Sequence, residues 1–149
     1  MSGQTASRQG SDKKIAGYSG TPLAQKLGIK SGQKIATIGA PAHYAKLLAP
    51  LPEAVSFTKT ISAQASFIHL FVSKRKTLEK ELKGLRHLIA DSGILWVSWP
   101  KKSSGVASDV TEDVIRAVAL PLGFVDVKVC AVDETWSGLK LMIRRENRR

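Results

Sequence analysis

Short apolar runs separated by polar segments dominate the chain from residue 21 onward. Six of them have the length and the β-branched or aromatic content of strands: 33–38, 54–58, 66–73, 94–99, 124–132 and 139–144. In the run 94–99, Ile94 and Trp96 fall on one face, whereas Leu95, Val97 and Trp99 fall on the other. A strand that is apolar on both faces is typical of a parallel sheet covered by helices on both sides.

Helical spacing predicts helices between these strands. The clearest covers residues 74–90, where four apolar residues form one stripe: Leu78, Leu82, Leu85 and Ile89. The turn residues 91–93 are expected to end this helix. Asp109 is expected to cap a later helix that runs to about Leu120, and shorter helices are predicted near 21–29 and 41–52.

The resulting order, α-β-α-β-β-α-β-α-β-β, predicts a single α/β Rossmann-like domain with a mostly parallel sheet. Residues 133–138 are too few for a helical crossover, so the last two strands should form an antiparallel hairpin. Residues 59–65 are also few for a crossover. Either they return in extended form to a parallel strand, or the second strand lies outside the parallel sheet.

The length of 149 residues and the apolar share of 43% indicate one folded domain. Residues 1–16 are polar and are predicted to be a disordered basic tail, 17–146 the α/β domain, and 147–149 a basic C-terminal end. The single cysteine, Cys130, allows no internal disulfide, and no apolar run is long enough for a membrane span. A cytoplasmic location without membrane contact is therefore expected.

The stretches "KIATIGAPAHY" and "DSGIL" and the closing hairpin resemble class I S-adenosylmethionine-dependent methyltransferases. More closely, "GYSGTPLAQKLGIK", "LWVSWPKK" and "ALPLGFVDVKVCAVDETWSGLKLMIRR" resemble a family of small bacterial proteins of unknown function with a methyltransferase-like fold. The resemblance covers about residues 17–146. It implies a Rossmann-like fold, trimmed by one strand–helix unit after the second strand, with a glycine turn after the first strand.

Gly39 matches the glycine turn that the resemblance implies. Thr37 stands where the family has an acid, and Pro41 stands where it has a glycine. The end of the second strand, where an acid would hold the ribose hydroxyls, has Thr58 and Lys59. A lysine there favours a phosphate over a bare ribose diol, so S-adenosylmethionine is expected only as an alternative ligand.

Two basic loops follow the third and fourth predicted strands. If these strands are parallel, the loops meet at one edge of the sheet, where open α/β sheets bind ligands. Together they hold five cations and no acid, with hydroxyl groups beside them: Lys74, Arg75, Lys76, Lys101, Lys102, Ser103 and Ser104. Trp136, in the predicted hairpin loop, is expected to cover the site. The plain alternative is that these residues are solvated surface.

The first hypothesis is therefore a non-catalytic domain that binds an anionic small molecule of the phosphate or nucleotide type. The second is a methyltransferase with a degenerate cofactor turn. The third is a nucleic-acid-associated protein, since the formal net charge is +11. His43 follows the glycine turn and is either a general base or polar surface. No grouping of histidine, cysteine and aspartate has metal-ligand spacing, so no metal is predicted. The sequence has no G-x-S-x-G, Walker loop or full G-x-G-x-x-G motif, and no catalytic residue is predicted.

Overall fold

The computed structural model describes residues 20–148, so the predicted tail 1–16 lies outside the described part. Within it, helices and strands follow one another in the predicted order. Helices α1–α4 span Leu23–Leu27, Tyr44–Leu48, Arg75–Leu88 and Glu112–Ala119. Strands β1–β6 span Lys34–Ile38, Ser56–Thr58, Ala65–Phe71, Ile89–Pro100, Phe124–Ala131 and Trp136–Ile143.

The strands form one mixed sheet in the order β2-β1-β3-β4-β6-β5. Strands β2, β1, β3 and β4 are parallel, and β6 lies antiparallel between β4 and β5. The predicted fold class, an α/β domain with a mostly parallel sheet and a C-terminal antiparallel hairpin, is confirmed.

The short link between β2 and β3 crosses the sheet without a helix. Strand β2 pairs with β1 in parallel and lies at the sheet edge, so residues 59–64 must pass over β1 to reach β3. Ile61, in the middle of this link, packs against the core on the side of α3 and α4. The extended return is therefore the correct one of the two predicted alternatives.

Both faces of the sheet are covered, as the pattern of residues 94–99 predicts. Leu95, Val97 and Trp99 lie in the core beneath α3 and α4. Trp96 lies in the core beneath α1 and α2, where its indole Nε1 donates a 2.8 Å hydrogen bond to the carbonyl oxygen of Leu27. The buried indole N–H is thus satisfied by the end of α1.

The expectation that residues 91–93 end the long helix is wrong. Helix α3 ends at Leu88, and Ile89 already has an extended backbone and begins β4. Between its pairs with β3 at Ile89 and Ile94, β4 carries extra residues, so the segment 90–93 bulges out of the ladder. The turn-forming residues therefore mark a bulge in a strand, which is another place where such residues are common.

Asp109 caps a different helix from the one predicted. Helix α4 is capped by Thr111, whose hydroxyl accepts a hydrogen bond from the Val114 N–H. The Asp109 carboxylate instead accepts a 2.6 Å hydrogen bond from the N–H of Arg75, the first residue of α3. A side chain of the loop before α4 thereby caps the N-terminus of α3.

We predict that Asp109→Ala lowers the free energy of unfolding by about 1 kcal/mol, because the first turn of α3 loses its acceptor. Asp109→Asn keeps an oxygen at the same place and should recover most of that loss. Urea unfolding of the two variants measures the difference. Equal stability of Asp109→Ala and the wild type would contradict the capping role.

Candidate functional site

The turn after β1 is fixed by the close approach of its glycine to β3. Gly39 has φ +71°, and a Cβ atom there would lie 2.7 Å from the carbonyl oxygen of Phe71. Only a residue without a side chain fits at that distance and in that conformation. Packing between two strands therefore explains Gly39, and its contact with a ligand stays a prediction.

A cleft of about 350 Å³ opens beside this turn, at the carboxyl ends of β1 and β2. Its walls are Thr37, Ala40, Pro41, Ala42, Tyr44, Ala45, Phe57, Thr58 and Lys59. Most of these residues are apolar, and Lys59 carries the one charge among them. Phe57 is 40% exposed to solvent. The cleft therefore offers an aromatic ring and a cation, and its lining contains no carboxylate.

A buried chain of hydrogen bonds runs from the cleft wall into the sheet. The Tyr44 hydroxyl lies 2.8 Å from Nδ1 of His69, and Nε2 of His69 lies 2.8 Å from the Ser98 hydroxyl. His69 and Ser98 are fully buried, on the adjacent parallel strands β3 and β4. The chain joins α2 to two central strands.

Burial keeps the imidazole of this chain neutral. It lowers the pKa of His69 to about 3 and raises the pKa of Tyr44 well above its ordinary value. In a neutral imidazole one ring nitrogen donates and the other accepts, so both hydroxyls are satisfied in either tautomer. Because Ser98 has no exposed surface, a substrate cannot reach it, and the arrangement fits a structural rather than a nucleophilic role.

Aromatic rings line the same edge of the sheet. Phe57 and Phe71 both meet Tyr44 edge to face, and Phe71 also meets Trp136 edge to face, with centroids 5.0 Å apart. The prediction that Trp136 lies in the hairpin loop is wrong, because Trp136 is the first residue of β6 and pairs with Pro100. The expected cover over a ligand site is thus a ring packed onto Phe71, and any contact of Trp136 with a ligand stays a prediction.

The two basic loops do lie at one edge of the sheet. Strands β3 and β4 are parallel, and the Val72 N–H donates to the carbonyl oxygen of Ser98 where they end. Lys74 precedes α3 and Arg75 begins it, and both residues are exposed. Lys101 is half-buried, and a 3₁₀ turn follows it over Lys102–Ser104. Neither loop lines the cleft beside the Gly39 turn.

A carboxylate lies beside the first of these loops, although neither loop contains an acid of its own. The Asp109 carboxylate occupies the start of α3, and Arg75 is turned toward Glu79 of its own helix, with Nε and Oε2 3.1 Å apart. The Ser104 hydroxyl donates to the carbonyl oxygen of Lys101 and accepts from the Val106 N–H. Contact of an anion with Lys74, Arg75, Lys101, Lys102, Ser103 and Ser104 stays a prediction.

The hairpin loop contacts the segment after the Gly39 turn. Asp133 accepts hydrogen bonds from the N–H groups of Thr135 and Trp136 and lies 3.5 Å from Nε2 of His43. Asp133 therefore shapes the hairpin turn, and its other oxygen faces His43. The two alternatives for His43, general base and polar surface, are both compatible with this position on the rim.

The sequence placed Thr58 and Lys59 at the ribose position but did not predict that they bind a ligand. It missed the partnership of Tyr44, His69 and Ser98. The signal was present, since a histidine and a serine interrupt two apolar strands at positions that share a face. Which helix residue would meet them depends on tertiary packing.

No family model and no curated protein matches the chain. Solved structures with the same fold include a SAM-dependent methyltransferase from Aquifex aeolicus, at 13% identity and a TM-score of 0.60, over 81% of this chain and 87% of that one. Fibrillarin from Aeropyrum pernix with natively bound S-adenosyl-L-methionine is similar at 12% identity and a TM-score of 0.53, over 80% of this chain and 73% of fibrillarin. The Methanococcus jannaschii fibrillarin pre-rRNA processing protein is similar at 13% identity and a TM-score of 0.54, over 89% of this chain and 71% of that protein.

This is the fold of the class I methyltransferases. At such low identity the likeness concerns the methyltransferase fold alone, and the finer resemblance to a small bacterial family stays a prediction. In the described part of this methyltransferase-like domain, no helix is long and apolar enough to cross a membrane. Among residues 20–148, no group of three or more histidine, cysteine, aspartate or glutamate side chains could hold a metal ion.

Because burial keeps His69 neutral, we predict that this methyltransferase-like domain is less stable in acid. His69 becomes protonated near pH 6.5 in the unfolded chain but only near pH 3 in the folded chain. The free energy of unfolding therefore falls as the pH is lowered from 6.5 to 3. Between pH 7.5 and pH 5 we expect the wild type to lose about 2 kcal/mol more than His69→Gln. Urea unfolding at several pH values measures this difference, and superimposable profiles would contradict it.

Proposed function

We propose that the chain is a non-catalytic binding domain for a nucleoside phosphate, held in the cleft beside the Gly39 turn. The observation that supports this most directly is the cleft lining, in which apolar walls and the exposed ring of Phe57 face the single cation Lys59. A nucleobase gains stacking and apolar contact on such walls, and a phosphate gains a charge-assisted hydrogen bond from a lysine.

The absence of a usable acid, base or nucleophile in the lining supports binding rather than catalysis. The Tyr44 hydroxyl is committed to His69, and the remaining hydroxyls of the lining, on Thr37 and Thr58, have no carboxylate or imidazole beside them in that lining. A hydroxyl without a neighbouring base is a poor nucleophile.

The lining does not fit S-adenosylmethionine well. Pro41 has no N–H to offer in the turn, and Lys59 stands where a carboxylate would accept the ribose hydroxyl protons. A cationic side chain also disfavours the positively charged sulfonium. A methyltransferase is therefore the second candidate, supported by a fold shared with proteins of that activity.

Thermal unfolding with AMP, adenosine and S-adenosylhomocysteine tests the proposal. A ligand at about 100 times its Kd adds roughly 2.7 kcal/mol, which raises the Tm of a domain of this size by several degrees. We expect AMP to stabilise the wild type more than adenosine does. Lys59→Gln should reduce the AMP effect to that of adenosine, because the phosphate loses its partner.

Lys102→Gln is the matched control, since it removes one exposed charge from the same edge of the sheet outside the cleft. Its response to AMP should equal that of the wild type. If Lys102→Gln or Lys101→Gln loses the response and Lys59→Gln keeps it, the anion site lies at the basic loops instead. A response to S-adenosylhomocysteine alone would favour the methyltransferase, and no response to any of the three would refute the proposal.

A further inference from the structure

Two lysines face each other across the C-terminal hairpin. Lys128 of β5 and Lys140 of β6 are direct partners in the antiparallel register. Directly opposite residues place their Cβ atoms about 5 Å apart on one face of the sheet, and like charges in such a pair are destabilising. The pair therefore requires a reason beyond the stability of the hairpin.

Two more lysines, in and after α1, lie on the same side of the sheet as this pair. Lys140 is also the register partner of Trp96, whose side chain is covered by α1, so the lysine pair lies on the α1 side of the sheet. Burial together with the charges of Lys128 and Lys30 holds the pKa of Lys140 below its ordinary value. Burial raises the pKa of the Cys130 thiol, and the charges of Lys26 and Lys128 oppose that rise. We call Lys26, Lys30, Lys128 and Lys140 the hairpin lysine patch.

Within the described part of the chain, no carboxylate pairs with these lysines. The nearest acid in sequence, Asp126, is turned to the other face, where it pairs with Arg116 of α4 at 2.8 Å. The register of β5 shifts by one residue between Asp126 and Lys128. Residues two apart normally share a face of a strand, but this bulge places Asp126 and Lys128 on opposite faces.

Protection of the sheet edge explains only part of the patch. Strand β5 is an edge strand with exposed Val127 and Val129, and a lysine such as Lys128 discourages pairing with another chain there. Lys140, however, lies on the inner strand β6, and Lys26 and Lys30 lie in and after α1. Three of the four lysines therefore have no role at the edge.

We propose that the hairpin lysine patch binds the phosphodiester backbone of a nucleic-acid duplex. Several uncompensated lysines on one surface match closely spaced phosphates, and a net charge of +11 favours the encounter. The neighbours of the pair on β5 and β6 are Val125, Cys130, Gly138 and Met142, none of which has a ring. The ring of Trp96, beside Lys140 on β4, is fully buried and offers no surface for stacking. Contact with the backbone, rather than with unstacked single-stranded bases, follows from that lining.

Fluorescence anisotropy of the full chain with a labelled 20-bp DNA duplex, over a range of salt concentrations, tests this. Lys128→Gln combined with Lys140→Gln should weaken binding about tenfold or more and reduce the slope of log affinity against log salt by about two. The same double variant should raise the Tm by about 1–3 °C, because the like-charged pair is removed.

The matched control is Lys80→Gln combined with Lys83→Gln, which removes the same charge from exposed positions of α3 on the other side of the sheet. It should leave affinity and slope close to those of the wild type. Equal losses in the two double variants would overturn the proposal, since net charge alone would then govern binding. Absence of duplex binding, or binding only to vesicles containing phosphatidylserine, would overturn it as well.

Discussion

The rest of the domain depends on a neutral imidazole at the centre of the sheet. His69 lies on β3, and its two ring nitrogens reach a hydroxyl on α2 and a hydroxyl on β4. Each of these groups would carry an unpaired buried polar atom without the others, so the chain of bonds specifies how α2 sits on the strands. Because Tyr44 also forms a wall of the cleft, the same bonds fix the shape of that wall.

The edge strand β2 and the residue after it form the outer wall of the cleft. Strand β2 is short and lies at the sheet edge, and the chain leaves it along an extended link instead of a helix. No described element covers the outer side of β2, and so Phe57 remains exposed while its ring meets Tyr44 edge to face. The open end of the cleft is thus a consequence of topology, whereas its inner wall is a consequence of buried hydrogen bonding.

Much of the fold could be predicted from the sequence because apolar periodicity is a local property. The element order and the two faces of β4 follow from residues such as Leu95 and Trp96, whose alternation is visible in the chain. Local chemistry was less decisive at boundaries. Asp109 has the right side chain for a helix cap, but which helix it caps depends on the loop between β4 and α4. Trp136 likewise became a strand residue because β4 extends to Pro100 and offers it a partner.

The candidate sites were harder to predict, because they depend on which charges meet rather than on how many there are. Lys74 and Lys102 are predicted anion ligands because they follow parallel strands, yet the Asp109 carboxylate lies beside the first of the two loops, at the N–H of Arg75. Lys128 and Lys140 stand in an ordinary amphipathic hairpin, and only the register makes them neighbours. At physiological salt, charges more than about 8 Å apart are largely screened, so a formal charge of +11 says little about any one surface. A like-charged pair on adjacent strands says more, because the fold would be more stable without it.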